Sequence, residues 1–251
     1  MISVQKLTKT FGRLTVLDNV SVELQAGLAI SLIGPNGSGK TTFIKSLLGL
    51  VIPNQGDIRV QGQLCRDNWT YRDQIGYMPQ ISRYPENLTI RQLIRMMTDL
   101  RKKHAAELDT DLIDAFGLPT LYDKTMRSLS GGTRQKVGAC LAFLFNPPII
   151  ILDEPTAGLD PLASEILKAK LLREKQDGKL ILITSHILSD LDGLTTDVMY
   201  MQEGRLQFLK PVAWLQQQTG ETKLNRAIAR LMENPSLIDD AQASKPNFTL
   251  F

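Results

Sequence analysis

Apolar positions alternate along the first 60 residues of the chain. Val20, Val22 and Leu24 recur with period two, and Ile58 and Val60 repeat the pattern after the turn PNQGD at 53–57. That spacing predicts strands with one buried face, hence an antiparallel β unit at the N-terminal end. Residues 28–33, LAISLI, break the alternation with a continuous apolar run, the mark of a strand buried on both faces. The run stops at a glycine-rich turn, and KTTFIKSLLGL at 40–50 then sets Ile44, Leu47 and Leu48 on one face of a helix.

After Gln80 the period lengthens to that of a helix. Thr89 and Gln92 have the spacing of a capping box, and Ile90, Leu93, Ile94 and Met97 follow i, i+3, i+4, i+7. A shorter helix, DTDLIDAFG at 109–117, ends at Gly117. Residues from about 82 to 140 thus read as a helical lobe inserted into an α/β core. The core resumes in two further apolar strands, within PPIIILDEP at 147–155 and KLILITSH at 179–186, each followed by a helical pattern. A mostly parallel sheet with right-handed crossovers is the economical topology. VMYMQEGRLQF at 198–208 reads as a hairpin turning at Glu203 and Gly204. The expected division is one α/β domain over 1–220 and a C-terminal helix and tail over 221–251, the helix carrying Leu224, Ile228 and Leu231.

Composition narrows the class. Apolar residues at 43% and charged residues at 22% are ordinary for a folded chain. At 251 residues, a single core buries about 70–75% of the surface that the unfolded chain exposes. The net charge of +3 is small and the basic residues are scattered, so no nucleic-acid partner is expected. Cys65 and Cys140 are the only cysteines, which suggests neither a disulfide framework nor a zinc site and fits a reducing compartment. No run of 18 apolar residues occurs, and the start MISVQKLTKTFG lacks the apolar segment of a secretory signal, so a cytoplasmic chain is expected.

Candidate chemistry begins at GPNGSGKT, 34–41. Gly34, Gly37 and Gly39, with Pro35, Asn36 and Ser38 between them, let successive N–H groups curl toward phosphate oxygens at the positive end of a helix. Lys40 would reach the β and γ phosphates, Thr41 would set a hydroxyl on Mg²⁺, and Thr42 would lie alongside. IIILDE drives a strand into the core and delivers Asp153 and Glu154 to its carboxyl end, where open α/β sheets bind ligands. Asp153 is the candidate for holding Mg²⁺ and Glu154 for polarising the attacking water. In isolation the pair could be helix-start acids; the phosphate loop upstream selects the catalytic reading. Gln80 could ligate Mg²⁺ or orient water, although taken alone a surface glutamine is the simpler reading. His186 ends a third apolar strand, where it could touch a γ phosphate or serve structure.

A second glycine turn, LSGGTRQK at 129–136, opens another helix and makes a second anion-binding terminus, with Val137, Cys140, Leu141 and Leu144 facing inward. A whole helical lobe separates it from the first loop, which already has its own donors. It can serve the nucleotide of another chain, or simply start a helix.

The order Phe11, GPNGSGKTT, Gln80, LSGG, IIILDEP, GLD and His186 resembles the ATP-binding cassette of ABC transporters over residues 1 to about 215. The resemblance implies a P-loop NTPase (RecA-like) core and ATP with Mg²⁺ as ligands. It further implies two cassettes stacked head to tail, expected here as a homodimer. In that arrangement Ser130, Gly131 and Gly132 hold the partner's γ phosphate, Phe11 stacks on adenine, Asp160 couples the two sites, and Gln80 links nucleotide to a membrane subunit. Thr133 stands where the family commonly has glutamine, and Phe11 where it often has tyrosine. The resemblance also implies a separate integral-membrane subunit and a peripheral position on the cytoplasmic face of the cell membrane; ISRYPENL at 81–88 is the candidate contact surface. PTAGLDP and the short C-terminus resemble exporter-like ATPases. YMPQISRYPENLTIRQL and LSGGTRQKVG look most like the branch that includes ATPases serving copper-site assembly of nitrous-oxide reductase. An importer ATPase, or a non-transport cassette acting on ribosomes or DNA, are the other readings.

Overall fold

The computed structural model describes residues 1–66, 68–102, 107–185 and 193–233. Period-two alternation produces β1 (Ile2–Phe11) and β2 (Leu14–Leu24), paired antiparallel. The continuous apolar run forms β3 (Ala29–Ile33), buried throughout, and leads through the glycine loop into α1 (Lys40–Leu47). Two further strands, β4 (Gln55–Val60) and β5 (Gln63–Leu64), complete a four-stranded antiparallel sheet in the order β2-β1-β4-β5.

The second sheet carries the chemistry. It combines β3 with β6 (Ile75–Met78), β7 (Ile149–Asp153), β8 (Leu180–Thr184), β9 (Asp197–Gln202) and β10 (Arg205–Pro211) in the order β10-β9-β3-β8-β7-β6. Only the β9–β10 hairpin is antiparallel. Its turn uses Glu203 at φ 50° and Gly204 at φ 77°, the left-handed pair that a tight hairpin with right-handed twist needs. On β7, Ile149 and Ile151 join the core formed with α1 and the antiparallel sheet, while Ile150 and Leu152 join the core on the opposite face. All four are fully buried, at about 1.5–3 kcal/mol each. A strand with helices or sheet on both faces has no side to leave polar, and this is why the sequence reads as an unbroken apolar run.

The lobe contains α2 (Ile90–Arg101) and α3 (Asp111–Ala115), and α4 (Gly131–Phe143) connects it to the sheet. The capping box forms: Thr89 Oγ1 accepts from Gln92 N–H at 3.2 Å, and Gln92 Oε1 accepts from Thr89 N–H at 3.0 Å. Val137, Cys140, Leu141 and Leu144 are buried, as expected, in a core shared by α2, β7 and β8. α5 (Pro161–Gln176) packs on the same face, whereas α6 (Val212–Thr219) and α7 (Leu224–Glu233) pack on the outer hairpin, with Leu215, Leu224, Ile228 and Leu231 against Tyr200 and Phe208.

Lys170 of α5, almost fully buried, ties the lobe to the core. Its ammonium lies 2.5 Å from Asp109, 3.1 Å from Asp111 and 2.9 Å from Glu174. Burial by itself would lower the lysine pKa, but hydrogen bonds from its ammonium to Asp109, Glu174 and Asp111 reverse the direction and raise it. Glu174 also pairs with Lys179. Removing the lysine strands buried carboxylates. Lys170→Met should therefore cost on the order of 3–5 kcal/mol in a denaturant titration, and a loss within error of zero would show the cluster to be dispensable.

Candidate functional site

β3, β8 and β7 end at one level: Leu32 pairs with Thr184, and Thr184 pairs with Asp153. The glycine loop leaves β3 directly beside the acids at the end of β7. A Cβ on Gly34 would sit 2.0 Å from the Met201 carbonyl oxygen, and one on Gly39 would sit 2.7 Å from that of Val16, so only glycine lets the loop pack this tightly. The loop is also tied to the hairpin turn, where Gly204 N–H donates to the Ser38 carbonyl at 3.2 Å. α1 then starts with no acidic residue in its first turn, leaving the positive end of its dipole uncompensated.

Asn36, Gly37, Ser38, Gly39, Lys40, Thr41 and Thr42 line a cleft of about 370 Å³ together with Val16, Gln80, Asp153 and Glu154. Lys40 curls over its own loop and donates to the carbonyls of Gly34 at 2.7 Å and Pro35 at 3.0 Å. Burial lowers its pKa, opposed by Glu154 and Asp153. Ser38 Oγ is buried with no hydrogen-bond partner among the described residues. The glycine loop, Lys40 and the uncompensated start of α1 line the cleft together, a donor set that suits phosphate oxygens, so the cradle fits a nucleoside triphosphate.

Asp153 is buried, and Oδ1 of its carboxylate accepts from the Thr184 hydroxyl at 2.5 Å. Glu154 is less buried and has a left-handed backbone, φ 51°, an uncommon state for a residue with a side chain. Its N–H donates to both Thr184 Oγ1 at 3.0 Å and the Thr184 carbonyl at 3.1 Å. Gln80 stands two residues beyond β6 and is exposed at the cleft. Oxygens from Thr41, Gln80 and Asp153 suit a hard cation. Among the described residues no cluster of three or more His, Cys, Asp or Glu could hold a metal alone. One carboxylate beside neutral oxygens suits Mg²⁺, which takes one or two carboxylates plus substrate phosphates and would, when bound, neutralise phosphate charge.

Other candidates among the described residues lie outside this lining. Phe11 is half exposed at the end of β1, with Lys9 Nζ 4.8 Å from its ring centroid, and is not among the residues lining the cleft. Ser130 caps α4: its Oγ accepts from Thr133 N–H at 3.2 Å and lies 2.9 Å from Thr133 Oγ1. Ser130 and Gly131 are exposed, and neither they nor Gly132 line the chain's own cleft. Asp160 caps α5 by accepting from Ala163 N–H at 2.9 Å, and Lys136 of α4 donates to it at 2.7 Å. The hydrogen bond from Lys136 is the main cause that holds the Asp160 carboxyl below the usual range. His186 lies outside the described residues.

Three contributors escape the sequence reading. Val16 supplies cleft wall and backbone support, Lys136 pins Asp160, and Thr184 bridges the two acids. For Thr184 a signal did exist: it is the one polar residue in the strand LILIT.

Among the described residues no helix is long and apolar enough to cross a membrane. The family model described as ABC transporter matches residues 17–157. The lantibiotic transport ATP-binding protein SrtF of Streptococcus pyogenes is 32% identical over 208 residues, 82% of this chain and 89% of that protein. The Nod factor export ATP-binding protein I of Paraburkholderia xenovorans is 31% identical over 81% of this chain and 68% of its own length. A solved ATP-binding subunit of an ABC transporter superposes with a TM-score of 0.86 at 30% identity, covering 92% of this chain and 99% of that one. With phosphate cradle, paired acids and fold in agreement with these likenesses, the chain belongs to the ABC transporter family as one of its ATP-binding, ATP-hydrolysing subunits.

Proposed function

We propose that two copies of this chain close head to tail around two Mg·ATP and reopen after hydrolysis, driving a separate integral-membrane subunit from the cytoplasmic face of the membrane. One observation carries this reading: the nucleotide cleft has its cradle and acids, while Ser130 and Gly131, a second anion-binding helix terminus, are exposed and absent from that cleft. A turn with nothing to bind in its own chain completes the site of the next. In this reading Lys40 and the loop hold the phosphates, Thr41, Gln80 and Asp153 face Mg²⁺, Glu154 is the base, His186 meets the γ phosphate, and Phe11 stacks on the base. Lys136–Asp160 and the close approach of Gly132 to the Gly158 carbonyl hold the turn against the loop that leads back to Glu154, which suits Asp160 to coupling the two sites.

The membrane subunit has a place to act. A groove of about 320 Å³ lies between β6 and the lobe, lined by Tyr77, Pro79, Tyr84, Met97 and Phe145, with Arg72 and Arg101 as its charged residues. Tyr84 belongs to the 81–88 segment. Pro79 lines this groove and the adjacent Gln80 lines the nucleotide cleft, so one chain segment touches both. Export is favoured by the lantibiotic and Nod factor relatives. Maturation of a copper site, as in nitrous-oxide reductase assembly, rests on the passages at 77–93 and 129–138.

Lys40→Ala should weaken ATP binding itself in equilibrium titration, and unchanged affinity would remove the loop from the site. Glu154→Gln should retain ATP, lose turnover by about 10²-fold or more, and accumulate closed dimers in size-exclusion chromatography; retained hydrolysis would reassign the base. Mixing Lys40→Ala chains with Ser130→Arg chains, each inactive alone, should restore hydrolysis, because one of the two composite sites in the mixed dimer is intact. A mixture as inactive as its components would place both elements in one chain's site.

A further inference from the structure

We propose that Thr184 is a positioning residue of the hydrolysis site, whose hydroxyl orients the Asp153 carboxylate toward Mg²⁺ and locks the Glu154 backbone. The inference rests on the proposed assignment of Asp153 to the metal. Thr184 is 2% exposed and ends β8, directly opposite Asp153 in the parallel register. A hydroxyl has one proton to give and lone pairs to receive. Here the proton goes to Asp153 Oδ1 at 2.5 Å, and a lone pair receives Glu154 N–H at 3.0 Å. One buried side chain therefore sets the direction of one acid and the main chain of the next.

Two physical consequences follow. A carboxylate held at one oxygen cannot rotate freely, so the second oxygen is left for the cleft that Asp153 lines. A left-handed glutamate persists only where its surroundings over-determine it, and the N–H shared between Thr184 Oγ1 and the Thr184 carbonyl supplies that restraint. Serine keeps both side-chain hydrogen bonds; valine keeps the shape and loses both, leaving Glu154 N–H only the main-chain carbonyl of residue 184. Lys40, the cation beside both acids, is hydrogen-bonded to its own loop.

The test compares Thr184→Val, Thr184→Ala, Thr184→Ser and Asp153→Asn as full chains. ATP affinity is read by fluorescence in EDTA and again across a Mg²⁺ titration, with the thermal midpoint and hydrolysis rate recorded alongside. The proposal expects Thr184→Val and Thr184→Ala to keep the EDTA affinity. Both should need about tenfold more Mg²⁺ for half of the metal-dependent gain in affinity, and Thr184→Ser should return it to within about twofold of the parent. If valine disrupts folding, alanine, which leaves room for water, carries the comparison. A wild-type Mg²⁺ midpoint in the alanine and valine chains, with Asp153→Asn shifted, overturns the role of Thr184 and leaves the metal assignment standing. An unshifted midpoint in Asp153→Asn removes the assignment itself. A serine chain as impaired as valine, or an EDTA affinity that falls in step, would show a packing role instead.

Discussion

Parallel pairing of β3, β8 and β7 puts Leu32, Thr184 and Asp153 side by side, and the rest of the site depends on that register. A slip by one residue would turn every side chain on a strand to the other face. It would shift the acids relative to the phosphate cradle and, in one direction, put Leu152 where Asp153 now stands. The register is secured by burial: the apolar residues of β7 interdigitate with two cores, one on each face. Chemistry at the strand ends is thus fixed by hydrophobic contacts in the strand middles.

The same logic extends outward through glycine and charge. The loop presses so closely on the Met201 and Val16 carbonyls that the β9–β10 hairpin becomes its floor. On the far side, α5 is fastened at both ends. Asp160 at its start takes Lys136 from the serine-glycine helix, and Lys170 and Glu174 further along take the lobe segment at 109–111 and Lys179 of the sheet region. The lobe bearing Ser130 is therefore linked through one helix to Lys179, the residue that leads into β8 and Thr184. Exposed pairs of this type contribute little energy, so the Lys136–Asp160 contact matters for position more than stability, whereas the Lys170 cluster is buried and matters for both.

Local signals were legible in the sequence and distant ones were not. The Thr89–Gln92 box, the Glu203–Gly204 turn, the glycine loop and the apolar strands depend on residues a few positions apart, and all appear as read. Asp153, Glu154, Gln80 and the loop residues from Asn36 to Thr42 do line one cleft, with Gly34 and Pro35 outside its lining. The Thr184 bridge and the Lys170 cluster join residues some 30 to 60 positions apart, and no periodicity encodes which strand lies next to which. Phe11, assigned to the base by resemblance, sits at an exposed strand end outside the cleft lining, and His186 falls outside the described residues.

The proposed function shares one reaction centre between two chains, a reading supported by Ser130 and Gly131 being exposed and outside the cleft lining of their own chain. The most direct measurement is specific ATPase activity as a function of chain concentration, with the oligomeric state followed by light scattering. Activity should rise with the dimer population and vanish on dilution to monomer. Constant specific activity in a strictly monomeric sample would contradict a shared centre.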